Sequence, residues 1–199
     1  MYEVEIKAVL KDRKAVMQKL QGLGCKFSSE LHQNENRISS GWHDVALSEL
    51  GIKRSKELRE QIKDKKFDII FCSDFKRAID SAKLAFEGIA QIITDKRLRE
   101  CNYGRYNAKP LNIVGPLKDK FVIEKFPEGE SYEDVKARIQ NFLEFLKKNY
   151  NEKNVAVMAH EAPQLALDVL LKGKTWEQAF LENWRKTKAW QPGWEYIVG

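Results

Sequence analysis

What the chain lacks narrows its reading before any motif is considered. Its three cysteines, Cys25, Cys72 and Cys101, are odd in number and far apart, with no C-x-x-C pair. That pattern excludes a disulfide framework and a zinc ribbon, and it fits a reducing compartment. No run reaches the ~18 apolar residues of a membrane span, so no membrane partner is expected. The opening "MYEVEIKAVLKDRK" has no apolar core behind basic residues, so a soluble, unprocessed, cytoplasmic protein is expected. Repeats and low-complexity tracts are also missing.

What is present is a chain of 199 residues, enough for one moderate domain, or a domain plus a fragment, that buries roughly two thirds of its unfolded surface. Lys and Arg number 35 against 29 Asp and Glu, a net charge of +6. An excess of positive charge suits an anionic small molecule or a nucleic acid. The charges alternate in sign along stretches such as "KRSKELREQIKDKK", which reads as a solvated helix face, and no nucleic-acid partner is expected. The four tryptophans Trp176, Trp184, Trp190 and Trp194 crowd the end of the chain without a basic groove motif beside them. Core packing and a docked tail are therefore preferred over base stacking.

Periodicity gives the order of elements. "YEVEIKAVL" alternates as a strand does, and "KDRKAVMQKLQGLG" places Val16, Leu20 and Leu23 at helical spacing before Gly24. A helix follows behind Ser48, with Leu58 and Ile62 on one face. "FDIIFC" and "NVAVMA" are short continuous apolar runs, as expected of buried parallel strands lying near each other. "FKRAIDSAKLAF" reads as a helix with Ala78, Ala82 and Ala85 for close packing, and "QIIT" as a further strand. Residues 101–130 hold Pro110, Pro116 and Pro127 and read as a long irregular excursion. Ser131 caps a helix with Val135, Ile139, Phe142 and Leu146 on one face, and "EAPQLALDVLL" follows with Pro163 in its first turn. Strands alternating with helices predict an α/β three-layer sandwich around a mostly parallel sheet.

In such sheets ligands gather at the carboxyl ends of the strands, where helix N-termini also point. Arg77 stands there in the first turn of its helix, suited to fork onto a phosphate, and His160 stands at the end of the second apolar run. Glu100, in "DKRLRECNYG", adds a carboxylic acid. A cation, an imidazole and an acid together make a set for phosphoryl transfer.

The order of "SGWHDVALSELG", "FDIIFCSDFKRAIDSA", "RLRECNYG", "FPEGESYEDVKARIQNFL" and "VAVMAHEAP" resembles the histidine phosphatase superfamily, the phosphoglycerate-mutase-like fold, from about Asn34 to about Gly173. The resemblance implies a phosphoric monoester hydrolase or mutase that needs no cofactor and takes a phosphorylated small molecule or phosphate. It makes Glu100 the proton donor, has Arg77 and His160 neutralise the phosphoryl oxygens, and has Asn34 help bind phosphate. Two departures stand out. The family's Arg-His-Gly strand end, which carries the nucleophilic histidine six residues before the Asn, occurs nowhere, and Ser28 occupies the nucleophile's place. His32, two residues before Asn34, is the histidine that could replace it across a shortened loop. Glu161 also follows His160 where the family usually has Gly.

The first residues have a different signature. Glu3, Glu5 and Lys7 in "EVEIKAVLKDRKAVMQKLQGLGCKF" resemble the E-x-E-x-K strand that opens a CYTH domain, the fold of class IV adenylyl cyclases and triphosphate enzymes. The expected organisation is a CYTH-like strand-helix fragment at 1–33 and a histidine-phosphatase-like domain at 34–199 whose first strand is replaced. Glu3, Glu5 and Lys7 are taken as the polar face of that strand, with no metal site. Three readings stay open: an active phosphatase or mutase, a phosphate-binding pseudoenzyme, and a metal-dependent triphosphate enzyme.

Overall fold

The computed structural model describes residues 38–184 and 193–198. The strand and helix expected before Gly24, the CYTH-like residues Glu3, Glu5 and Lys7, and the site residues His32 and Asn34 lie outside the described residues. The described elements belong to the unit Ile38–Gly199.

A short strand β1 (Ile38–Ser39) leads to helix α1 (Glu49–Ile62), where the Ser48 side chain accepts the Gly51 N–H as an N-cap. Strand β2 (Ile69–Cys72), helix α2 (Lys76–Phe86) and strand β3 (Ile92–Thr94) follow. The 101–130 excursion is less irregular than its prolines imply, holding β4 (Lys109–Pro110) and the single turn α3 (Leu111–Val114). Helix α4 (Tyr132–Asn149) opens on a reciprocal cap between Ser131 and Asp134. Strand β5 (Val155–Met158) runs into α5 (Glu161–Lys172), which Gly173 ends at φ 65°, and α6 (Trp176–Leu181) completes the order. No helix among the described residues is long and apolar enough to cross a membrane.

The sheet is parallel in the order β3-β2-β5, with Ile70 opposite Ile92 on one side and Ala156 on the other. Alternation along β2 divides the core. Ile69 and Phe71 pack with Val135, Phe142 and Leu146 of α4 and Leu165 of α5. Ile70 turns to the opposite layer, with Ile62 of α1, Ala85 and Phe86 of α2, and Ala156. Helices thus cover both faces, and the expected α/β sandwich is what forms. β1 and β4 pair separately and antiparallel, tying the start of the described chain to the excursion.

One expectation is corrected. β2 is buried at all four positions, whereas in β5 Ala156 alone is buried and Val157 is 38% exposed. "NVAVMA" reads as a doubly covered strand because its residues are apolar, but β5 is the outer strand of the described sheet. Apolar composition alone does not say how completely the faces of a strand are covered.

Candidate active site

The carboxyl ends of β2 and β5 bring Arg77, Glu100 and His160 into one neighbourhood. β2 ends at Cys72, and the chain turns through Ser73, Asp74 and Phe75 into α2. Phe75 is the hub of this turn. Its ring lies 5.6 Å from that of His160, 6.3 Å edge-on from Trp42, and 4.6 Å below the Arg77 guanidinium.

Arg77 is held by the "SGWHD" turn. Its Nη2 donates to the Gly41 carbonyl at 2.7 Å, and its Nη1 to the His43 carbonyl at 3.1 Å and to Asp44 Oδ1 at 3.3 Å. Asp44 also accepts the Lys76 N–H at 2.6 Å, so one carboxylate caps α2 and orients the arginine of its first turn. Gly41 is required here: it sits at φ 53°, and a Cβ would run into the Asn107 amide. Among the described residues, Arg77 Nε donates to nothing, which leaves the Nε side of the fork for an anion. Burial lowers the Arg77 pKa from its ordinary value, while the charges of Glu100 and Asp44 oppose that shift. A guanidinium so placed stays charged.

Glu100 is 9% exposed and carries out a task its sequence position does not announce. Its Oε1 accepts the N–H groups of Cys101 at 2.8 Å and Ala162 at 3.0 Å, and its Oε2 that of Glu161 at 3.1 Å. His160 is the N-cap residue of α5 and makes no side-chain cap bond. Glu100 takes that role from a distant loop, satisfying two orphan donors of the helix and facing the positive end of its dipole. Oε2, with a single N–H donor, has a lone pair left for a proton. Its own carbonyl accepts from Trp42 Nε1 at 2.8 Å and Arg138 Nη2 at 3.1 Å, which fixes the backbone beneath the carboxylate.

Sequence reasoning missed several neighbours. Arg99 lies 4.8 Å from the Trp42 ring and 5.1 Å from that of Phe75, and both its Nε and Nη2 meet the Asp74 carboxylate at 2.7 Å. Lys118, from the excursion, pairs with Glu161 at 2.8 Å, and Asn183 donates to the same oxygen at 2.5 Å. Asp44 and Trp42 stood in a motif singled out from sequence. Nothing local marked Lys118 or Asn183. Cys72 and Cys101 are poor nucleophiles: burial pushes the Cys72 thiol up to about 11 and the Cys101 thiol higher still.

Comparison with known proteins agrees with the fold. The profile of the histidine phosphatase superfamily (branch 1) matches residues 29–189. A 2,3-bisphosphoglycerate-dependent phosphoglycerate mutase of Methylobacterium sp. is 31% identical over 160 residues, covering 72% of this chain and 77% of that one. Phosphoserine phosphatase 1 of Hydrogenobacter thermophilus is 28% identical over 150 residues, 67% of each chain. Among solved structures, mycobacterial glucosyl-3-phosphoglycerate phosphatase in complex with VO3 superposes with a TM-score of 0.61 at 26% identity, over 74% of this chain and 79% of that one.

Proposed function

The chain belongs to the histidine phosphatase superfamily, branch 1, and on that premise we propose that it binds a phosphorylated small molecule or phosphate between Arg77, His160 and Glu100 and turns it over weakly or not at all. The observation that carries the reading is the placing of the Glu100 carboxylate on the first N–H groups of α5, directly beside His160, with Arg77 across the Phe75 ring. Arg77 and His160 would meet the phosphoryl oxygens, and Glu100 Oε2 would hold the proton for a departing alkoxide. No metal or organic cofactor is assigned to this chemistry. The names of the relatives, a mutase and two phosphatases, support a phosphoric monoester as the ligand class.

Full turnover needs a nucleophile that forms a bond to phosphorus as the ester P–O bond breaks. Ser28 stands where that histidine belongs, and the family match starts one residue later, at residue 29. Losing the nucleophile from a catalytic unit costs several powers of ten in rate while binding and electrostatic elements survive. His32 is the imidazole proposed to restore attack, since His43, in the "SGWHD" turn, lies farther along the chain from that position. The test is hydrolysis of an aryl phosphate by the parent, His32→Ala and His160→Ala, with trapping of an acid-labile phosphohistidine. Weak turnover or none is expected in all three. Robust hydrolysis without added metal, abolished in His32→Ala, would overturn the inactive reading.

A further inference from the structure

Glu161 departs from the family's usual glycine, yet it is one of the most firmly held side chains near the site. Its Oε1 accepts from Lys118 at 2.8 Å and Asn183 at 2.5 Å. Both charged side chains are largely buried, Lys118 13% exposed and Glu161 15%. The same residue's backbone N–H rests on Glu100 Oε2 at 3.1 Å. One residue therefore joins three stretches of chain: the excursion through Lys118, the segment after α6 through Asn183, and Glu100.

We propose that Glu161 is a positioning and charge-setting residue: gripped by Lys118 and Asn183, it pins the first turn of α5 onto Glu100, and its charge holds Lys118 neutralised beside the anion pocket. The charge-setting half rests on the phosphate site proposed above. A carboxylate one residue from His160 would repel an incoming phosphate, and a lysine locked onto it cancels most of that field. The same lysine set free would attract the phosphate. Glu161 is felt in the interior around Glu100. Tyr103 and Tyr132 are held well above the ordinary phenol value, first by burial, with the charges of Glu100 and Glu161 adding to it.

The two partners have opposite effects, which a merely structural ion pair does not. Glu161→Gln keeps the shape and frees Lys118, so inorganic phosphate binds tighter by about fivefold. Lys118→Met removes the lysine's positive charge from beside the carboxylate and weakens binding by about the same factor, the double variant returns to within about twofold of the parent, and Lys118→Arg restores it. Calorimetric titration with phosphate reads these shifts. Amide hydrogen exchange at residues 161 and 162 reads the positioning directly and is expected to quicken in both single variants while the core of β2 stays protected. Phosphate affinities that move in the same direction, or do not move, would overturn the charge-setting role, and unchanged exchange at 161 and 162 would overturn the positioning role. A parent that fails to bind phosphate contradicts the site and the charge-setting role built on it, and the exchange measurement then decides the positioning role alone.

Discussion

The Glu100 Oε1 atom accepts the Ala162 N–H at 3.0 Å across 62 positions of sequence. A carboxylate on one loop thereby starts the helix that presents His160, and the two residues cannot be moved independently. Orphan N–H donors at a helix start need acceptors, and a distant carboxylate supplies both charge and geometry.

Glu100→Gln should therefore destabilise the fold as well as alter the site. An amide in place of the carboxylate turns one acceptor into a donor facing N–H groups it cannot satisfy. The expected loss is about 1–3 kcal/mol, read by urea denaturation. Unchanged stability would mean that α5 finds another cap.

Asp74 predicts a pH dependence. Its carboxyl is held below the ordinary value of 3.8, first by hydrogen bonds from Arg99, against the opposing effect of burial. A depressed folded-state pKa stabilises the native protein fully above the ordinary value and stops doing so as pH falls through the lower one. Asp74→Asn should thus lower stability at neutral pH and flatten the acid limb below about pH 4. An unchanged acid limb would show that the Arg99 pair contributes nothing.

Phe71 tests the layer beneath the site. It is 1% exposed, with ring centroids 5.5 Å from Phe142 and 5.2 Å from Tyr150. Phe71→Ala removes a large side chain from a close-packed layer and is expected to cost about 3–5 kcal/mol, measured by the denaturation midpoint.

The Tyr196 hydroxyl helps to tie residues 193–198 to the domain. Tyr196 donates to Asp168 Oδ1 at 2.7 Å, and Lys172 lies 4.7 Å over its ring. Tyr196→Phe keeps the ring contact and loses the hydrogen bond, an expected cost of about 1 kcal/mol. Exchange at residues 193–198 should quicken, and the strands should be unaffected.

Sequence carried the parts of this molecule that depend on neighbours in the chain. β2 and the helices behind Ser48 and Ser131 were legible because apolar spacing and caps act over a few residues. Arg77 and His160 were legible because they follow apolar strands. What the sequence could not carry are bonds between distant segments: Glu100 to Glu161 across 61 positions, Lys118 to Glu161 across 43, and Arg77 to Asp44 across 33. The exposure of Val157 was misread for the same reason, since apolar composition does not say how far distant helices cover the faces of a strand.

The proposed phosphate site is tested most directly by titrating inorganic phosphate into the parent protein and Arg77→Ala in a calorimeter, without added metal. The account predicts saturable binding by the parent that falls at least about tenfold in Arg77→Ala, as expected when a charge-assisted fork is lost. Equal affinity in the two proteins, or no binding by the parent, would contradict it.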